Sequence, residues 1–245
     1  MEKVLIITYY FPPIGMGGVQ RVSKFAKYLP HFDWEPIVIT VKDISYYFYD
    51  KSLLNDVKDV KIIRTESLDP LRISMILKKF FQIKRNKINE RYKEGYFKKI
   101  YNIINKWFLI PDSKILWVPF AIVSALKVIK KENIKLIFTT SPPNSCHLAG
   151  LFLKKLIKVK WISDFRDYWS MNGISKYPTF FHRFINDFIK KKIIKNADCI
   201  IAVSNGIIDE MKRHSVSHKF YLITNGFDCD DFLNIFLKRI TINFI

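Results

Sequence analysis

Short apolar runs alternate with segments whose apolar residues recur at helical spacing, from one end of the chain to the other. Residues 4–9 form a continuous apolar run, as a strand buried on both faces requires. Val22, Phe25, Ala26 and Leu29 then fall on one side of a helix over 19–29. The same alternation predicts strands at 36–41, 60–64, 136–139, 159–164, 199–204 and 220–224. It predicts helices at 117–130, 145–156, 179–196 and 206–213. Strand–helix alternation with wholly apolar strands implies a parallel sheet covered on both faces. Right-handed crossovers then give an α/β, doubly wound, Rossmann-like and mainly parallel sheet.

Residues 71–110 break this rhythm. Between Arg72 and Trp107 there are eleven Lys or Arg residues, opposed only by Glu90 and Glu94. Tyr96, Phe97, Ile100, Ile103, Ile104 and Trp107 make an apolar stripe on this basic stretch. It reads as a basic amphipathic insertion. It suits an anionic membrane surface, with Tyr96, Lys98, Lys99 and Trp107 as contacts, or else packs on the sheet.

Composition sharpens that reading. In 245 residues, 41 Lys and Arg face 22 Asp and Glu, a formal charge of +19. A polyanionic partner follows: a membrane, a phosphorylated substrate or nucleic acid. With 49% hydrophobic and 16% aromatic residues, disorder is excluded as the main state. Cys146, Cys199 and Cys229 form no CxxC, so neither a disulfide framework nor a zinc site is expected. The reading is of a reducing, cytoplasmic compartment. No apolar run reaches the ~20 residues of a spanning helix. The run from Val4 meets Pro12 and Pro13 where a secretory leader would need a small-residue cleavage site.

Three loops at strand ends carry candidate chemistry. The first contains Gly15, Gly17 and Gly18, just before the first helix. Glycines there let backbone N–H groups approach a phosphate or pyrophosphate at a helix N-terminus, though a plain tight turn has the same look. The spacing is not the dinucleotide GxGxxG. The second loop, 139–145, holds Ser141 and Asn144, with Asn144 or Ser145 as an alternative helix cap. In the third, Asp164 and Asp167 flank Arg166. Such a trio can hold a phosphate, orient hydroxyls or simply lock a loop. Asp228 and Asp230 have a metal-binding DxD form, but after Asn225-Gly226 they read as turn chemistry. His214 and His218 lack a third ligand.

Taken in order, several segments resemble one family. They are VLIITYYFPPIGMGGVQRVSKFAKYL (4–29), TTSPPNSCHLAG (139–150), WISDFRDYW (161–169), ADCIIAVSNGI (197–207) and ITNGFD (223–228). The chain resembles the N-terminal domain of family 4 glycosyltransferases, retaining enzymes of the GT-B fold. That resemblance implies two Rossmann-like domains facing a cleft. Gly15, Gly17 and Gly18 become the donor-phosphate loop. Arg166 and Asp167 fall on the cleft-facing loop where many members place a catalytic-site side chain; which of the two is equivalent stays open. Ser141, Asn144 and Asp164 become acceptor-side residues, and Asn225 with Gly226 the interdomain hinge.

The resemblance further implies a nucleotide-sugar donor, a lipid-linked or glycan acceptor, and no metal or other cofactor. Residues 1–228 are read as the acceptor-side domain, and 229–245 as linker or truncated tail. The family's pair of glutamates eight positions apart is absent from this sequence. The chain alone is therefore expected to lack the donor half and its activity, unless a separate chain supplies it. The expected location is the inner face of the membrane. Two rival readings remain: a non-catalytic basic binding module, or an inactive fragment. No nucleic-acid motif is recognisable, so nucleic acid is the weaker polyanion.

Overall fold

The computed structural model describes residues 1–46, 48–81, 107–169, 178–215 and 219–232. Most of the basic insertion, including Tyr96, Lys98 and Lys99, lies outside these residues, as do His218 and the tail beyond Phe232.

Seven strands form one sheet: β1 (Glu2–Ile7), β2 (Trp34–Val41), β3 (Lys61–Thr65), β4 (Leu136–Ser141), β5 (Lys160–Phe165), β6 (Cys199–Ala202) and β7 (Phe220–Leu222). Their order is β3-β2-β1-β4-β5-β6-β7. Every neighbouring pair is parallel. The doubly wound reading is therefore correct. The chain winds outward from β1 to β3, then returns to place β4 beside β1. That reversal opens a crevice at the carboxyl ends of β1 and β4, where such sheets bind ligands.

Strand alternation divides the core. Leu5, Ile7, Ile37 and Ile39 enter one apolar cluster; Val4, Ile6 and Val38 enter the other. The second cluster is closed by Val22 and Ala26 of α1 (Gly17–Tyr28). The first is closed by α4 (Val118–Glu132), α5 (Ser145–Leu156), α6 (Phe180–Asn196) and α7 (Asn205–Lys212). The short α2 (Leu53–Asp56) and α3 (Pro70–Phe81) flank β3 in sequence. Fully burying such side chains contributes about 1.5–3 kcal/mol each before entropy is counted. Trp117 and Trp161, both 0% exposed, reach partners with their indole N–H groups, on Thr65 and Thr139.

Helix ends follow local chemistry in two places. Thr179 caps α6 and Ser204 caps α7, each through its side-chain oxygen. The start of α5 differs from the sequence expectation. Asn144 is helical there and makes no side-chain cap. Asp112, 33 residues earlier, accepts from the Ser145 N–H at 2.9 Å and its hydroxyl at 2.8 Å. A remote carboxylate has taken the role that neighbouring sequence suggested for Asn144 or Ser145.

Candidate functional site

The three sequence-singled loops converge at the carboxyl ends of β1, β4 and β5, beside the point where the winding reverses. The first loop runs from β1 into α1. Gly15 is buried, and its N–H donates to the Phe48 carbonyl at 3.0 Å. A Cβ there would meet the Phe48 ring at 2.3 Å, so this glycine admits the 44–50 loop. Gly17 has open space around it. A Cβ at Gly18 would lie 3.0 Å from Nη1 of Arg166. The three glycines thus do different things: one packs, one leaves the helix mouth open, one lets a guanidinium approach. No side chain caps α1; the Val19 N–H turns back to the Met16 carbonyl at 3.0 Å, and the N–H groups of Gly17 and Gly18 stand at the positive end of the helix.

Arg166 is 9% exposed. Its Nε donates to the Ser141 carbonyl at 2.9 Å and its Nη2 to the Pro142 carbonyl at 2.7 Å. Nη1 is buried without a partner among the described residues. A buried, charged donor left unpaired is costly unless something else fills it. Burial pulls the Arg166 pKa down, while the Asp164 charge opposes that pull. An arginine keeps its proton regardless. The charged guanidinium therefore lies against Gly18, in the first turn of α1. A helix N-terminus beside an unpaired Arg donor has the chemistry to receive an oxyanion such as phosphate.

Behind it, Asp164 is 0% exposed. Arg21 on α1 grips it in two places, Nη2 to Oδ1 at 2.9 Å and Nε to Oδ2 at 3.3 Å. Thr140 donates to Asp164 Oδ2 at 2.8 Å. Arg21 also donates to the carbonyls of Ile223 and Thr224 and to Asn225 Oδ1. Asp164 is thus the anchor of the loop's base, its oxygens engaged by scaffold groups. Ser141 is buried and serves through its carbonyl. Asn144 ties the loop to the next one, donating to the Trp169 carbonyl at 3.1 Å. Asp167 is half-buried beside Arg166, and its charge acts on that guanidinium. Asn225 and Gly226 are exposed, against Arg21. Trp107 is also exposed, its ring 5.5 Å from that of His182.

Sequence reading missed Arg21, because its partners lie more than 140 residues away. It also missed a buried polar cluster around Lys114. That ammonium lies 3.6 Å from Asp69 and over the Tyr9 ring at 5.1 Å. Burial lowers its pKa despite both Asp69 and Asp112.

Asp56, Asp228 and Asp231 bring carboxylate oxygens within 4.8 Å of one another. The Lys24 ammonium already stands 2.7 Å from each of the three. A divalent ion there would have to displace it. Asp228 also accepts from the Asp230 N–H at 3.0 Å, which is the turn chemistry expected of this stretch.

A parallel, doubly wound sheet with three loops gathered at its reversal point defines the class: a Rossmann-like domain. A family model described as Glycosyltransferase Family 4 matches residues 16–231, and the chain belongs to that family. Among solved structures, it is similar to a sucrose-phosphate synthase from Thermosynechococcus elongatus, at 16% identity and a TM-score of 0.58. That match covers 93% of this chain and 49% of the other. A shorter chain of that synthase matches at 15% identity and a TM-score of 0.51, covering 98% of this chain and 97% of the other. A glycosyltransferase from Rickettsia africae matches at 18% identity and a TM-score of 0.48, covering 96% and 45%. The chain thus spans about half the length of the full-length relatives. No curated protein matches the sequence. No helix among the described residues is long and apolar enough to cross a membrane.

Proposed function

We propose that this chain is the acceptor-side half of a retaining, nucleotide-sugar-dependent glycosyltransferase. The observation that carries this is the unpaired Nη1 of Arg166, buried and facing the uncapped N-terminus of α1 across Gly18. In sugar transfer, the acceptor hydroxyl oxygen bonds to the anomeric carbon as the carbon–oxygen bond to the diphosphate breaks, and the hydroxyl proton passes to the departing phosphate oxygen. Negative charge builds on the departing diphosphate. Arg166 and the N–H groups of Gly17 and Gly18 are preorganised to receive that charge without a metal. Asp167 stands next in the loop, where its carboxylate can orient the acceptor hydroxyl. The nucleoside end of the donor belongs to a second domain, and the acceptor is a lipid-linked or other glycan. The basic insertion, with Trp107 at its described end, brings the domain to an anionic membrane surface.

Calorimetric titration at low salt tests the phosphate half of this reading. Inorganic pyrophosphate should bind, and Arg166→Met should weaken it by at least about tenfold, the loss expected for a charge-assisted donor. Unchanged pyrophosphate binding in that variant would remove Arg166 from the site. Micromolar affinity of the chain alone for a nucleotide sugar would contradict the assignment of the nucleoside to another domain.

A further inference from the structure

Helix α6 is amphipathic in an unusual sense. Its inner face is ordinary: Ile193 and Ile194 are buried in the core, and Asn186 accepts the Trp169 indole N–H at 3.1 Å. Buried Lys190 reaches Glu210 at 3.2 Å. The outer face should then be polar, yet it carries four phenylalanines. Phe180, Phe181, Phe184 and Phe188 are 75, 66, 57 and 51% exposed. Three of them follow i, i+4, i+8 and share a shallow groove of about 330 Å³ with Arg183, Asp187 and Lys191. Trp107 and Phe108, 46 and 75% exposed, lie at the same end of the helix, where His182 meets the Trp107 carbonyl at 3.0 Å. Contiguous exposed aromatic surface of this kind marks a docking site.

The charges say what docks. Arg183, Lys191, Lys192 and Lys195 are exposed on the same helix, against Asp187 alone. The Lys192 ammonium sits 5.3 Å over the Phe188 ring, so cation and ring share one side. Pairing with a second copy would bring these cations together in a chain that already carries +19. An anionic lipid surface accepts both features: rings enter the headgroup–acyl boundary while Lys and Arg stay with the phosphates.

Position adds a reason. Strand β5 ends at the site, so the helix that follows it starts at the carboxyl edge of the sheet and runs back. The phenylalanine-bearing end of α6 is therefore on the same edge as Arg166. The hydrogen bond from Trp169 to Asn186 joins the site loop to this helix directly. We infer that the outer face of α6, led by Phe180, Phe184 and Phe188, is a membrane-docking surface for anionic lipid. It holds the mouth of the site at the bilayer. This rests on the membrane-acting reading above and adds α6 to the insertion as a contact.

The test is co-sedimentation of the full chain with vesicles of phosphatidylcholine alone or with added phosphatidylglycerol. Phe180→Ala/Phe184→Ala/Phe188→Ala keeps helix propensity and removes only exposed rings. The wild-type chain should bind the anionic vesicles. The triple variant should lose at least about tenfold in partitioning, with its thermal unfolding unchanged. Equal binding by the triple variant, with loss on Lys98→Glu/Lys99→Glu, would overturn the α6 assignment and leave the membrane reading on the insertion. Wild-type chain that ignores anionic vesicles, whether or not it captures single-stranded oligonucleotide, would overturn both. So would a wild-type dimer that the triple variant turns into a monomer without any vesicle binding.

Discussion

Met16 sits between Gly15 and Gly17 at φ 87°, ψ 154°, a region that residues with a Cβ avoid. The residue is 54% exposed, and its sulfur accepts from the Tyr46 hydroxyl at 3.4 Å. The turn at the mouth of α1 is held in this conformation by its neighbours. Ile14 bridges to Tyr49, and the Asp50 N–H donates to the Pro13 carbonyl at 2.8 Å. Met16→Gly should therefore raise stability by up to about 1 kcal/mol in urea denaturation, relief of strain exceeding the added chain entropy. His147 makes a second residue-scale prediction. It is fully buried against the Phe165 ring, with Thr139 Oγ1 2.7 Å from its Nδ1. Burial first, and the Arg166 charge second, lower its pKa from 6.5 to about 3. Below pH 6.5 the unfolded chain takes up a proton that the folded chain refuses. Stability from this group is whole above that pH and falls towards pH 3 by up to about 1.4 kcal/mol per unit. Urea midpoints between pH 7 and pH 4 should fall less steeply in His147→Gln than in the wild-type chain.

The element whose role sequence most understated is α1. Its apolar residues were legible, because Val22 and Ala26 face the sheet at helical spacing. Arg21, Lys24 and Lys27 are as regular, three apart, but apart from Asp56 their acidic partners lie between 143 and 207 residues on. No local pattern announces a long-range ion pair, so the Arg21–Asp164 grip and the clasp beyond it were invisible. The strand-end loops were legible for the opposite reason, since Gly and Pro punctuate them in sequence. In the clasp, Asp228 is 7% exposed. It receives Lys24 at 2.7 Å, Lys27 at 2.8 Å and the Tyr28 hydroxyl at 2.7 Å. Burial pushes its carboxyl up, and these three hydrogen bonds more than reverse that, holding it well below the usual range. Asp228→Asn should free the segment after β7 from α1 and cost about 1–3 kcal/mol. Limited proteolysis should then cut between Leu222 and Phe232 in the variant, under conditions that leave the wild-type chain whole. Because Arg21 ties this same segment to Asp164, the clasp joins the segment after β7 to the loop that follows β5.

At the scale of the whole molecule, the +19 charge and the proposed anion site make competing predictions for anions. A diffuse positive surface responds to ionic strength, and any salt that screens it stabilises the chain alike. A built site responds to one anion beyond its ionic strength, by the linkage between binding and folding. At ten times its dissociation constant, pyrophosphate adds about 1.4 kcal/mol of stability. For a domain of this size that is a rise of roughly 3–6 °C in melting temperature. The comparison is pyrophosphate against chloride at matched ionic strength, in the wild-type chain and in Arg166→Met. The wild-type chain should gain the extra rise and the variant should not, although the variant differs by a single charge from +19. Equal rises in both would assign the effect to the surface as a whole. A pyrophosphate-specific rise confined to the wild-type chain would locate it at Arg166, whose guanidinium the fold buries with an unpaired donor among the described residues.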